Sequence, residues 1–227
     1  MIEIEQLNKS LHGGGHRVDI LNGINLTVPR GEFVAITGAS GSGKTTLLSL
    51  IAGLDAPTSG RIVIDGQDIT KLDEDALAEL RGKRFGFVFQ NFHLIPTLTA
   101  LENVILSAEL NHTEGAHKKS NDLLGIVGLG ERLHHYPSQL SGGEQQRLSL
   151  ARAFVNEPEY VLADEPTGNL DSTNSDRILD LIGELHRVKQ ATILLVTHEP
   201  PVAQRSQRIL TMADGKIIAD QPSRPSP

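Results

Sequence analysis

The sequence predicts an α/β domain with a mostly parallel sheet and a helix-rich segment set between core strands. Three observations point there. Short β-branched and apolar runs read as strands: EFVAITG (32–38), RIVIDG (61–66), FGFVFQ (85–90), YVLADE (160–165), TILLVTH (192–198) and RILTMADGKII (208–218). Helical patterns separate several of them, and that alternation favours parallel strands joined by crossovers. The stretch from about 91 to 155 is richer in helical than in strand pattern. The expectation is therefore one domain over 1–227, with a core of about 1–90 and 156–219 and a helical subdomain of about 91–155.

Taken in order, the helix candidates are Gly43–Leu54, Asp73–Arg84, Ala116–Val127, Gly143–Asn156 and Thr173–Lys189. A further one begins at TALENV, after Pro96 has interrupted any earlier helix. MADGKII predicts a late hairpin turning at Asp214–Gly215. The proline- and serine-rich tail, 220–227, is expected to be poorly ordered.

Composition excludes several classes. With 227 residues and 38% apolar side chains, the chain can bury a substantial core. A net charge of −7 argues against sequence-independent binding to nucleic acid, which needs a basic surface, so no nucleic-acid partner is expected. No cysteine is present, which removes disulfides and thiolate-bound zinc. The opening MIEIEQLNKS has glutamates where a secretory signal has basic residues, and no apolar run approaches the ~18–20 residues that span a bilayer. Work at a membrane would require a partner.

GASGSGKTT, from Gly38 to Thr46, lies between the strand EFVAIT and the helical TTLLSLIAGL. Glycines at this spacing let the backbone N–H groups of Ala39, Ser40, Gly41, Ser42 and Gly43 curl around phosphate oxygens, and the helix N-terminus adds partial positive charge. Lys44 supplies a point charge for β- and γ-phosphates and the Thr45 hydroxyl a ligand for Mg²⁺. YVLADEP ends a buried strand on two acids: Asp164 suits Mg²⁺ through its water shell, and Glu165 suits the polarisation of an attacking water. Gln90 and His198 each end a strand. In a parallel sheet ligands gather beyond the strands' carboxyl ends, so Gln90 would reach Mg²⁺ and water, and His198 the γ-phosphate.

LSGGEQQRLSLARAF (140–154) raises a separate question. Leu148, Ala151, Phe154 and Val155 recur at helical spacing, and Ser141 with Glu144 fits a capping box. That cap would suffice. Gly142 and Gly143 each cost roughly 0.5–1 kcal/mol relative to alanine, which a structural helix start does not need.

GASGSGKTT, Gln90, LSGGEQ, YVLADEP, GNLD and TH, in that order over nearly the whole chain, resemble the ATP-binding-cassette ATPase family. The resemblance implies a P-loop NTPase fold with a RecA-like parallel-sheet core, an N-terminal β subdomain and an inserted α-helical subdomain. It implies ATP and Mg²⁺ as ligands and a head-to-tail homodimer around two ATPs. Ser141, Gly142 and Gly143 of one copy would press on the γ-phosphate held by the other, with Asp171 at the same interface. IAGLDAPTSG, FGFVFQNFHLIPTLTALENV, YPSQLSGGEQQR and LADEPTGNLD look like the lipoprotein-releasing and macrolide-exporter branch (LolD and MacB), and most of all its YbbA-like members. That implies an integral-membrane permease of FtsX/MacB type, docked near Phe92, His93, Leu94 and Pro96. It also implies a peripheral place on the cytoplasmic face of the inner membrane and extraction or export of a lipophilic or lipoprotein-like substrate. The alternative is an FtsE-like regulatory ATPase that gates a periplasmic partner without transport. Relatives often stack a tyrosine on adenine; here Leu11 stands at that point, and the imidazole of His16 either stacks or is solvated.

Overall fold

The computed structural model describes residues 1–13 and 16–223, and the side chains of His12 and His16 lie outside what it describes. The chain runs β1 (Ile2–Gly13), β2 (His16–Val28), β3 (Phe33–Gly38), α1 (Lys44–Ile51), β4 (Ser59–Ile64), β5 (Gln67–Asp68), α2 (Glu74–Arg84) and β6 (Phe85–Phe89). It continues with α3 (Ala100–Leu110), α4 (Ala116–Ile126), α5 (Gly142–Phe154), β7 (Tyr160–Asp164), α6 (Ser172–Lys189), β8 (Thr192–Val196), α7 (Pro200–Ala203), β9 (Arg208–Ala213) and β10 (Lys216–Pro222). Packing gathers these into two units, Met1–Arg81 with the chain from Thr192 onward, and Gly82–Ala191. The second takes in β6, β7 and α6 as well as residues 91–155.

In the first unit, β2, β1, β4 and β5 form an antiparallel sheet in that order. MIEIE shows why: Ile2 and Ile4 are buried and pair with Val28 and Leu26, while Glu5 on the opposite phase is exposed. RIVIDG belongs to this sheet as β4, running antiparallel to β1, and not to the parallel one. In the other sheet of this unit β3 lies parallel to both β8 and β9. Val34, Ala35, Ile36 and Ile193 through Val196 are completely buried, as continuous apolar runs covered on both faces should be.

The hairpin β9–β10 turns at Asp214 and Gly215, with φ of 47° and 73°. Two successive left-handed residues make the tight turn whose twist matches a hairpin. Of the segment 220–227, Asp220, Gln221 and Pro222 continue β10 and pair with β9. Arg208 on β9 ties the two strands, its guanidinium donating to both carboxylate oxygens of Asp220 at 2.7 and 2.6 Å and to Glu32 at 3.2 Å. Residues 224–227 lie outside the described residues.

In the second unit β6 and β7 are parallel, from Phe85 opposite Tyr160 to Phe89 opposite Asp164. Phe85, Phe87, Phe89 and Tyr160 stack their rings at centroid distances of 5.4–6.1 Å. α5 buries Leu148, Leu150, Ala151 and Phe154 and packs against β6, α3 and α6. α3 starts at Thr99 with a complete capping box to Glu102, which is why TALENV begins a helix.

Candidate functional site

The first unit carries the glycine-rich loop between β3 and α1. Gly43 caps α1 with φ 99° and no side-chain hydrogen bond, and a Cβ there would stand 2.7 Å from Leu21 Cδ2 and 2.9 Å from the Ile20 carbonyl. Both the backbone angle and the space demand glycine. Ala39, Ser40, Gly41 and Thr45 are exposed, Thr46 is half-buried, and Ser42 and Lys44 are buried. Lys44 is only 6% exposed, and its ammonium donates to the Gly38 and Ala39 carbonyls at 2.9 and 2.8 Å. Ser42 Oγ is buried with no hydrogen-bond partner among the described residues. An ammonium buried in a loop of backbone amides beside an orphaned hydroxyl suits a polyanionic ligand. His198 follows β8, which runs parallel to β3 with Val196 opposite Ile36, so Gly38 and His198 each lie two residues beyond that pair. His198 is exposed at the same edge of this sheet as the loop.

The second unit brings together Gln90, Asp164 and Glu165. Asp164 ends β7 opposite Phe89, and Gln90 and Glu165 are the first residues beyond the two strands. Gly168 lies against both: a Cβ there would be 2.8 Å from Gln90 Nε2 and 3.4 Å from Glu165 Oε2. Glu165 has φ 47°, a left-handed angle uncommon outside glycine. Asn169, quoted within GNLD but given no role from sequence, donates to the Gln90 carbonyl at 3.0 Å and accepts from Gln90 Nε2 at 3.2 Å. It also donates to Asn91 Oδ1 at 3.3 Å, so both the backbone and the side chain at the end of β6 are fixed by one amide.

The start of α5 separates the two glycines. Ser141 and Glu144 form the expected box: Glu144 Oε2 accepts from the Ser141 N–H at 2.8 Å and from its hydroxyl at 2.9 Å, and the Glu144 N–H donates back at 3.3 Å. The Ser141 backbone N–H, then its hydroxyl, hold the Glu144 carboxyl below its ordinary range. A Cβ on Gly143 would stand 2.5 Å from Asn174 Oδ1 and 2.7 Å from its Cγ. Asn174 cannot easily yield, because Asp171, the N-cap of α6, accepts from its backbone N–H at 3.0 Å and its amide at 2.7 Å. These bonds likewise depress the Asp171 carboxyl. Gly143 therefore has a reason inside the chain. Gly142 has none: a Cβ there would meet Leu170 Cδ2 at 3.6 Å and Phe92 Cζ at 4.0 Å, ordinary contact distances.

After Gln90 the chain forms a tied loop. Phe92 and Leu94 are half-buried, while His93, Ile95 and Pro96 are exposed. The His93 ring packs on Phe89 with centroids 4.6 Å apart. Buried Asn103 accepts from the Ile95 N–H at 2.8 Å and donates to the carbonyls of Ile95, Leu98 and Thr99 at 3.1, 3.0 and 2.9 Å. Arg152 donates to the carbonyls of Phe92, at 2.8 Å, and His93. Neither residue was a sequence candidate; the available signal was a charged side chain, Arg152, beside the apolar face Leu148–Ala151–Val155.

Leu11 stands opposite Val18 across β1 and β2, and the two are 53% and 59% exposed, an open apolar pair near that hairpin's end. The imidazole of His16 falls outside the described residues. No group of three or more His, Asp or Glu among the described residues is placed to hold a metal.

Comparison with known proteins bears on this geometry. The ABC transporter family model matches residues 21–168. The Escherichia coli (strain K12) protein described as an uncharacterized ABC transporter ATP-binding protein, YbbA, is 49% identical over 219 residues, covering 96% of each chain. The macrolide export ATP-binding/permease protein MacB of Brucella abortus (strain 2308) is 46% identical over 226 residues, 99% of this chain. This chain spans about a third of that relative's length, 35%. The dimeric, post-hydrolysis structure of the ATP-binding cassette MJ0796, bound to ADP and Pi, superposes with a TM-score of 0.92 at 39% identity over 100% of both chains. This chain belongs to the ABC transporter family, and it is an ATPase cassette that binds ATP with Mg²⁺.

Proposed function

We propose that two copies of this chain close head to tail around two ATPs and drive an integral-membrane permease of FtsX/MacB type, which extracts or exports a lipophilic or lipoprotein-like substrate. The cassette would work at the cytoplasmic face of the inner membrane through that permease; no helix among the described residues is long and apolar enough to cross a membrane. The backbone from Gly38 to Thr46 and the Lys44 ammonium take the phosphates. Mg²⁺, when bound, neutralises charge on the phosphate oxygens, and Thr45, Gln90 and Asp164 are the residues that would hold it. Glu165 accepts a proton from the attacking water, and His198 donates to the γ-phosphate. Ser141, Gly142 and Gly143, with Asp171 nearby, meet the nucleotide of the second copy at a helix N-terminus. Phe92, His93, Leu94 and Pro96 take the permease.

The observation that carries this reading is Gly142: among the described residues of its own chain none stands close enough to exclude a Cβ there, which supports a close approach from outside. The dimeric form of MJ0796 supports a dimer, and MacB, a cassette and permease in one chain by its description, supports a permease partner. The test is Glu165→Gln. Turnover should fall about 10²–10⁴-fold, as for a lost general base, and the protein should collect with Mg-ATP as a dimer in light scattering. Turnover near the parent's would remove Glu165 from its role, and a persistent monomer would remove the dimer.

A further inference from the structure

Gln90 carries a side-chain amide whose two ends differ only in hydrogen bonding. Oε1 has lone pairs to offer a cation, and Nε2 has only protons. Rotation of the amide by half a turn exchanges them, so an amide that serves as a metal ligand needs a neighbour that selects one orientation. Asn169 supplies that selection. Its Nδ2 donates to the Gln90 backbone carbonyl at 3.0 Å and to Asn91 Oδ1 at 3.3 Å. A backbone carbonyl can only accept, so this bond admits Asn169 in one orientation, nitrogen toward the end of β6. Asn169 Oδ1 is then the atom left to face the Gln90 side chain, and it accepts from Gln90 Nε2 at 3.2 Å. The first amide thus fixes the second: Gln90 Nε2 is engaged, and Oε1 carries no hydrogen bond among the described residues. Asn169 is itself held, because the Gly168 N–H donates to the Glu165 carbonyl at 3.1 Å and the Leu170 N–H to the Thr167 carbonyl at 3.0 Å. Two turns, one on either side, tie it to the residue that follows β7.

We propose that Asn169 is a positioning residue that selects the orientation of the Gln90 amide, leaving Oε1 rather than Nε2 for the Mg²⁺ that Gln90 would hold. This rests on Gln90 being a ligand of that ion, as proposed above. A carboxylate at position 90 would present oxygen in either orientation and need no selection, and Asn169 Oδ1 would oppose it. Loss of the Asn169 amide should therefore harm a chain with Gln90 and spare one with Gln90→Glu.

The experiment compares whole chains: the parent, Gln90→Ala, Asn169→Leu, Gln90→Glu, and Gln90→Glu combined with Asn169→Leu. Asn169→Ala repeats the comparison without added bulk, and melting temperature checks folding. The first readout, without nucleotide or metal, is proton exchange of the Gln90 side-chain amide by ¹⁵N NMR. In Asn169→Leu it should be about three- to tenfold faster, as for the loss of one net hydrogen bond, while β7 backbone amides exchange as in the parent. The second is the Mg²⁺ concentration that half-saturates phosphate release at fixed ATP. Asn169→Leu should raise it about three- to tenfold with Gln90 present, and leave it unchanged or lower it in the Gln90→Glu background. A side chain that only ties the two strand ends together would raise the requirement equally in both backgrounds, and that result overturns the proposal. Unchanged exchange of the Gln90 amide in Asn169→Leu overturns it as well. If Gln90→Ala raises the Mg²⁺ requirement and Asn169→Leu does not, the proposal falls and Gln90 keeps its role. If Gln90→Ala leaves the requirement at the parent's value, Gln90 is no ligand, and the proposal falls with that reading.

Discussion

Gly142 and Gly143 are neighbours in one helical turn, yet replacing each by alanine should have opposite consequences. At Gly143 the new methyl would stand 2.5 Å from Asn174 Oδ1 and 2.7 Å from Cγ, and Asn174 is held by two bonds to Asp171. Forcing a methyl into such a place costs about 1–3 kcal/mol. In a chain of this size that lowers the melting temperature by roughly 3–10 °C. At Gly142 the methyl meets carbon atoms at 3.6 and 4.0 Å. Relief of glycine's backbone entropy should then stabilise the monomer by up to ~0.5–1 kcal/mol, or about 1–4 °C. Dimerisation separates them in the other sense. If the second copy's phosphate approaches the backbone of this turn, the Gly142 methyl holds it off, and Gly142→Ala in a Glu165→Gln background should bind ATP yet remain monomeric. Thermal unfolding without nucleotide and light scattering with Mg-ATP read the two effects separately. A Gly142→Ala protein that is destabilised, or that dimerises as readily as its parent, would refute the reasoning from the glycine contacts.

Two further outcomes follow from the same geometry. Glu144 has its carboxyl held below the ordinary range by Ser141, so its contribution is present above the unfolded value of about 4.3 and is lost as pH falls through the lower folded value. Glu144→Gln should therefore cost about 0.3–1 kcal/mol in urea unfolding at pH 7 and markedly less at pH 3; an equal cost at both would deny the charged cap. Leu94→Asp, at a half-buried position in the loop after Gln90, should abolish copurification with the permease and its stimulation of ATPase while basal turnover and folding persist, and a variant still stimulated normally would move docking elsewhere.

The parts of the chain that were legible in sequence are those whose chemistry is local. The phosphate loop announces itself because glycine angles, a lysine and a helix start must fall within nine residues. The box at Ser141 and Glu144 closes over three residues, and the hairpin at Asp214–Gly215 needs two left-handed positions in a row. What stayed hidden depends on partners far along the chain. Asn169 reaches Gln90 across 79 residues, and Arg152 reaches Phe92 across 60. The reason for Gly143 lies in Asn174, thirty-one residues on, and no pattern near LSGGEQ points to it. The same holds for the start of the last segment, where a bidentate bond from Arg208 to Asp220 ties β10 to β9.

The central claim is that each nucleotide is shared between two copies, and mixed dimers test it most directly. One chain carries Lys44→Ala, which disables its phosphate loop. The other carries Gly142→Asp, which sets a carboxylate against the phosphate it would meet; Gly142 is preferred to Gly143 because an aspartate at 143 would also collide with Asn174. Neither variant alone should form an ATP dimer. In the mixture, both defects fall on one composite site and the other is intact, so the account predicts heterodimers with one ATP each, resolved by native mass spectrometry in a Glu165→Gln background. If the phosphate loop and the helix start served the same nucleotide from within one chain, every site would carry a defect, and the absence of any ATP-occupied heterodimer would contradict the account.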